Sequence, residues 1–575
     1  MGQKNRATKQ LENQLQRRIK GRGSANGNDY SLPLLCETLR DRYQIVMKFS
    51  FWRFSHTVLT TFCLLGLTAA SGPESNIQDM ELKIGIVQRF GSQPTAKLQL
   101  EPIKGDRLKL KFQMGNKQQI LFTNNPVKLE TVMEALPQSA VEEVVVLGTY
   151  RTFENAEDSA KKWRSQGMEV EIAQPERWQV WAKRDVYSTP LLRRLLLQNI
   201  QASTQEKVYL DTKILKQVPR VSWVVDGNSY SSNDLEISTD KNLIRVNKSD
   251  KPELARLYAG RINLQSNAYG TYTLVNQVPL ETYLRGVVPY EIGTDAPTAA
   301  LEAQAILART YALRNLSRFA ADNYQLCADT HCQVYYGLNG AAAKTDRAIA
   351  STRGKVLTYK NELVDALYSS TTGGVTASFS DVWNGDDRPY LRPVLDAPTN
   401  FWDLSKQSLA DEKNFQKFIN TQQGFNESKW DMFRWHKETP LKDIIKDLQK
   451  FLQVKNSPDA KFKTIQAMAI VKRSHSGRIL ELAVKTDRST FILHKDEVRS
   501  AFAAPTSTLF YIEPLNKGQA QLWGYAFIGG GLGHGVGLSQ TGAQNLAKLG
   551  WSNPKILQFY YPGTQIQVLS KEIKL

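Results

Sequence analysis

Glu291 stands inside VPLETYLRGVVPYEIGTDAPTAALEAQAILARTYAL, the stretch from Val278 to Leu313 where helix signals crowd around one carboxyl. Pro279 suits the first turn of a short helix ending near Gly286, and Pro289 blocks its continuation. Pro297 opens a second helix, in which Ala300, Ala303, Ile306, Leu307, Thr310 and Leu313 recur at helical spacing and bury one face. Glu291 is thereby expected in the turn between two helices, a place from which a side chain can face a cleft. A lone Glu is ordinarily a solvated charge or a cap. An apolar setting from Val287, Val288, Tyr290 and Ile292 would instead raise its pKa and suit it to donating a proton.

Two other groups of residues carry chemistry. Cys327-Ala-Asp-Thr-His331-Cys332 places two thiols and an imidazole within six residues. Thiolates and neutral imidazole are zinc ligands, with Asp329 or water to complete the shell. In an oxidising compartment the same cysteines would pair as a disulfide, and free thiols are a third reading. The Gly-rich blocks at Gly373-Gly374 and Gly533-His534-Gly535 let backbone approach a ligand closely, or simply form tight turns. His534 can hydrogen-bond substrate or hold structure. Ser539 followed by Gln540–Leu549 and Gly550 reads as a capped helix. Tyr560 and Tyr561 offer a sugar-stacking wall or core packing.

The order of these blocks resembles the stage II sporulation protein D family (SpoIID/LytB). Tyr283-Leu284, Gly286-Val287-Val288 and Glu291 match its signature, as does the run Ala303-Gln304-Ala305, Ala308-Arg309-Thr310-Tyr311-Ala312. Ser369-Ser370-Thr371-Thr372-Gly373-Gly374, Val382-Trp383-Asn384-Gly385 and Asp396 follow. Gly533-His534-Gly535-Val536-Gly537-Leu538-Ser539-Gln540 and Tyr560-Tyr561-Pro562-Gly563-Thr564 close the series. The match spans about residues 235–568. It implies a lytic transglycosylase acting on N-acetylmuramic acid–N-acetylglucosamine bonds of peptidoglycan, with Glu291 as catalytic acid/base. Such a carboxyl would protonate the leaving oxygen and then take the proton of the muramic C6 hydroxyl, giving a 1,6-anhydro end. The nucleophile would belong to the substrate, so the paired carboxylate of an ordinary glycosidase is not needed. The resemblance also implies substrate contacts at Gln304, Arg309, Tyr311, Ser369, Gly373, Gly374, His534, Gln540 and Tyr560, and a zinc site at Cys327, His331 and Cys332. Arg309 would hold a lactyl carboxylate, or alternatively form a buried ion pair orienting Glu291. LytB-like members imply a non-catalytic alternative, stimulation of a cell-wall amidase, and a glycan hydrolase is a third. Two departures stand out. Glu302 occupies a position where the family commonly has Lys, and Ile292-Gly293 replaces Met-Pro.

The elements positioning these residues are expected in an α+β catalytic domain, 231–575, with an antiparallel sheet core and cleft helices. An N-terminal α+β region is expected at 78–230. There Leu82, Ile84, Ile86, then Leu98, Leu100, then Leu108, Leu110, Phe112 alternate as strands do. Residues 143–183 follow as β-α-β-β, with Ala156, Ala160 and Trp163 on one helix face. This stretch is similar to the sporulation-related repeat, a small domain that binds denuded glycan strands, though an ordinary packing unit would look the same. Lys406–Phe451 reads as helical, charged and external.

Composition sets the wider bounds. With 575 residues, 41% hydrophobic and 10% aromatic, several folded segments are expected. The net charge of +18 favours anionic partners, and residues 1–53 hold eleven Lys/Arg against four Asp/Glu. No nucleic-acid-binding signature is present. Residues 1–46 read as basic and disordered or untranslated, and 47–71 as a signal peptide or anchor: Lys48 and Arg53, an apolar Val58–Leu67, then Ala69, Ala70 and Ser71. The expected location is therefore the periplasm or cell envelope, touching membrane only through that leader, with peptidoglycan glycan strands and a cell-wall amidase as partners.

Overall fold

The computed structural model describes residues 80–93, 97–248, 254–455, 457–518 and 521–574. The leader expected at 1–46 and 47–71 lies outside them. Among the described residues no helix is long and apolar enough to cross a membrane.

The alternating apolar residues do build strands. Leu82, Ile84 and Ile86, Leu98 and Leu100, and Leu108, Leu110 and Phe112 are all buried, because period-two alternation places every second side chain on the core face. They enter two sheets. The seven-stranded one runs Leu326–Cys327, Glu81–Phe90, Tyr272–Pro279, Arg261–Ser266, Leu235–Thr239, Leu108–Met114, Lys117–Thr123. Strand Leu235–Thr239 pairs antiparallel with Leu108–Met114, in the register Ile237 to Leu110. The expected boundary at 230 thus cuts through a hydrogen-bonded ladder, and both sides belong to one compact unit, Asn76–Leu575. The whole is mixed α+β, as expected.

Residues 127–225 hold a more complete motif than the sequence suggests. Strand Val127–Tyr150, helix Phe153–Ser165, strands Val170–Ala173 and Trp178–Ala182, helix Pro190–Ser203 and strand Tyr209–Val225 follow one another. In space the fourth strand lies beside the first, then the third, then the second, all antiparallel. This is the βαββαβ arrangement of ferredoxin-like units. Ala156, Ala160 and Trp163 pack inward with Val145, Leu147 and Trp178, and the cluster continues into Phe319 and Tyr324 of the central domain. The opposite sheet face meets it too, through Trp181 and Tyr269, whose rings are 5.9 Å apart.

Behind the cleft, Leu280–Arg285, Val288–Ile292 and Thr298–Arg314 form a helical layer. The Ala-rich helix Thr298–Arg314 is buried on nearly every side rather than on one face, from Ala303 to Leu313 without a break; small side chains let neighbours close around it. The segment read as helical, Lys406–Phe451, differs. It has helices Glu412–Asn420 and Leu441–Val454 separated by strand Trp435–Pro440, which pairs with Gly524–Gly529. Ile444, Leu448, Phe451, Leu482, Val498 and Phe527 give this part its own apolar core.

Candidate active site

Glu291 sits in the five-residue helix Val288–Ile292, not in a bare turn: Pro289 begins this helix, where its missing N–H costs nothing. Its carboxyl opens into a cleft of about 490 Å³. The Val334 N–H donates to Oε1 at 2.7 Å and the Gln540 Nε2–H to Oε2 at 3.3 Å. Burial, the largest influence, pushes the carboxyl above its ordinary pKa against those two donors and the Tyr368 hydroxyl. Tyr368 in turn donates to Gln333 Oε1 at 3.0 Å, and Gln333 Nε2 to the Ala308 carbonyl at 3.2 Å. A chain of hydrogen bonds therefore ties the carboxyl's surroundings to the buried Ala-rich helix.

Of the expected substrate-contacting residues, Tyr311, Ser369, His534 and Gln540 line this cleft with Glu291. His534 accepts the Val536 N–H on Nδ1 at 3.0 Å, so its proton belongs on Nε2. Burial, with Arg499 and Arg478 adding, pushes its pKa down to about 3, and its ring lies 5.0 Å from that of Trp383. His534 is a neutral wall residue. Tyr311 is pushed up to about 12 by burial and stays un-ionised.

The other expected contacts are placed elsewhere. Arg309 is fully buried and forms a bidentate pair with Glu281, both distances 2.8 Å, while Nη1 reaches the Lys355 carbonyl at 2.9 Å. It braces the helix layer and does not orient Glu291. Gln304 is wholly buried in the same helix, away from the cleft lining. Gly373 and Gly374 do present backbone donors, but to a carboxylate of the protein itself. With φ of 74° and 91° they turn their N–H groups onto Glu427 Oε2 at 2.8 and 3.0 Å, and Thr372 N donates to Oε1 at 2.6 Å. Glu427 lies against Asp396, which accepts from Asn426 Nδ2 and from the Tyr560 hydroxyl, each at 2.8 Å. Burial and then Glu427 raise Asp396 well above the carboxylate range. Tyr560 is therefore a core residue, and so is Tyr561. Ser539 caps helix Gln540–Lys548 by accepting the Gly542 N–H at 3.0 Å, which fixes Gln540 toward Glu291.

The expected zinc ligands do not assemble. Cys327 and Cys332 are joined as a disulfide, Cα atoms 5.6 Å apart, so neither sulfur is a thiolate. No group of three His, Cys, Asp or Glu side chains among the described residues could hold a metal. His331 lines the cleft near the disulfide. As for the two departures, Glu302 accepts from Ser351 Oγ at 3.0 Å and Asn553 Nδ2 at 2.7 Å, tying helices together. The Ile292 carbonyl accepts from Gln544 at 3.1 Å.

Several lining residues carried no sequence signal. Arg151, Phe153, Glu154 and Trp178 come from the ferredoxin-like unit, and Asp496 and Arg499 from the segment around the second core. Arg318, 4% exposed, lies over Phe153 at 4.3 Å and pairs with Glu154 at 3.3 Å. The remaining cleft carboxylates, Glu154 and Asp496, are thus both engaged by arginine.

A buried, hydrogen-bonded carboxyl facing a cleft has the chemistry that acid/base work requires. Residues 268–359 match the family model described as "Stage II sporulation protein". Residues 377–537 match a second model, a domain of unknown function, DUF8618. The chain is 31% identical over 300 residues to "Amidase enhancer" of Bacillus subtilis (strain 168), covering 49% of this chain and 40% of that protein. It is 27% identical over 307 residues to "Stage II sporulation protein D" of the same organism, covering 51% of this chain and 75% of that one. The stage II sporulation protein D of Bacillus amyloliquefaciens is 26% identical over 307 residues, with the same coverage.

Proposed function

We propose that this protein is a peptidoglycan lytic transglycosylase of the cell envelope, cutting between N-acetylmuramic acid and N-acetylglucosamine and leaving a 1,6-anhydro end. The carrying observation is Glu291: burial raises its pKa, two hydrogen bonds fix both oxygens, and it faces a cleft. A protonated carboxyl donates to the glycosidic oxygen as the bond breaks. Its conjugate base, held by the Val334 and Gln540 donors, then withdraws the proton of the C6 hydroxyl as that oxygen closes onto C1. Hydrolysis would ask for a second carboxylate to act as base or nucleophile. The pairing of Glu154 and Asp496 with arginines favours the one-carboxylate route. Mass spectrometry of the products tests this: anhydro ends support it, and products heavier by one water identify a hydrolase.

The similarity to a protein named "Amidase enhancer" favours a second reading, a wall-binding protein that stimulates an amidase. Under that reading Glu291→Gln keeps full amidase stimulation and glycan is never cut.

A further inference from the structure

Outside the matched 268–359 domain the cleft is lined by two guanidiniums, Arg151 and Arg499, and two carboxylates, Asp496 and Glu154, the latter already paired with Arg318. Asp496 serves two guanidiniums, Arg499 at 2.9 Å and Arg151 at 3.6 Å. The Arg151 and Arg499 side chains are 44% and 28% exposed, whereas Asp496 is 7% exposed, so the cations reach the opening and their shared anion does not. Arg318 lies on the same cleft, already matched by Glu154. Buried polar atoms without partners are rare. Two of those among the described residues, Arg318 Nε and Ser369 Oγ, belong to residues lining this cleft. The role of carboxylate binder expected for Arg309 is closed to it, since Glu281 takes its whole fork.

Building on the glycan reading above, we propose that Arg151 and Arg499 form a subsite for a carboxylate carried by the muramic acid residue. Guanidinium forks match carboxylate oxygens, and a desolvated cleft strengthens the pairing. The ferredoxin-like unit supplies one arm and helix Asp496–Ser500 the other, so both added segments contribute to substrate choice. Two sources offer this chemistry: the lactyl group of a bare strand, or the acids of an attached stem peptide.

The test is calorimetric binding to the full chain carrying Glu291→Gln, so that turnover does not intrude. Three ligands are compared: bare glycan strands, the same strands with carboxylates converted to methyl amides, and strands bearing stem peptides. Arg151→Gln and Arg499→Gln are each expected to weaken binding of an acidic strand about 10-fold, the scale of one charge-assisted hydrogen bond. Binding of the amidated strand stays unchanged. Asp496→Asn, which removes the competing anion, is expected to tighten binding, an effect of opposite sign that misfolding does not mimic. Sensitivity on bare strands assigns the lactyl group, and sensitivity only on peptide-bearing strands assigns the stem. Arginine variants that lose affinity equally for acidic and amidated strands, or for neither, overturn the subsite while leaving the acid/base role of Glu291 standing. Absence of binding to every strand overturns the glycan reading together with the subsite.

Discussion

The Gln540 side-chain amide, at the first turn of a late helix, donates to Glu291 Oε2 at 3.3 Å across 249 residues of chain. That bond closes the cleft around the carboxyl. It also works against burial, holding the pKa of Glu291 below what desolvation alone would give. Gln540→Leu is therefore expected to raise that pKa further. In a pH–rate profile the limb lost to ionisation of the acid moves to higher pH, while misorientation lowers kcat on the order of 10- to 100-fold. An unmoved limb would show that Gln540 does not touch the working carboxyl.

Arg309, buried against Glu281, is expected to act on the fold and not on a substrate. Breaking its buried pair with Glu281 is expected to cost about 3–5 kcal/mol, because an unpaired charge stays behind. Arg309→Met should lower the thermal midpoint sharply and leave KM for glycan unchanged. A rise in KM at unchanged thermal midpoint would return Arg309 to the substrate.

Asp396 lies against Glu427 in a fully buried pocket, and burial followed by that neighbouring carboxylate raises its pKa. The raised folded pKa of Asp396 means that its contribution is present below about 3.9, its value in unfolded chains, and is lost as pH rises through the folded value. Asp396→Asn keeps a donor toward Glu427 without that loss, so its stability relative to the parent is expected to grow toward alkaline pH. Glu427→Ala strips acceptors from the N–H groups of Thr372, Gly373 and Gly374 and is expected to cost several kcal/mol, at about 1–3 kcal/mol per stranded donor. Thermal midpoints across pH separate the two.

His534 has the opposite sign. Its folded pKa of about 3 lies below the unfolded value near 6.5, so it contributes stability above 6.5 that is lost as pH falls toward 3. His534→Asn, which keeps an acceptor for the Val536 N–H, is expected to flatten the acid side of the stability curve. An unchanged acid slope would mean that the imidazole is not buried neutral.

What the sequence made legible was chiefly local. Alternating Leu and Ile residues announced the strands, and Pro279, Pro289 and Pro297 marked the helix starts around Glu291. Ser539 announced the cap that places Gln540. The glycine pair was read as letting backbone approach a ligand or as a tight turn, and its N–H groups meet a carboxylate of the protein. Nothing local distinguishes a sugar oxygen from Glu427, more than fifty residues away. The partner in the buried ion pair expected as one reading of Arg309 was hidden for a similar reason, since Glu281 meets it only when two helices pack. Arg151, Trp178, Asp496 and Arg499 reach the cleft through tertiary docking of segments remote from the Glu291 motif, so spacing around Glu291 carries no trace of them.

The most direct test of the account compares the parent chain with Glu291→Gln on bare glycan strands, following the rate at which 1,6-anhydro ends form. The carboxamide keeps the shape and cannot donate and retrieve a proton, so a loss of about 100-fold or more is predicted, with the fold intact. Anhydro ends appearing at the parental rate would contradict the account.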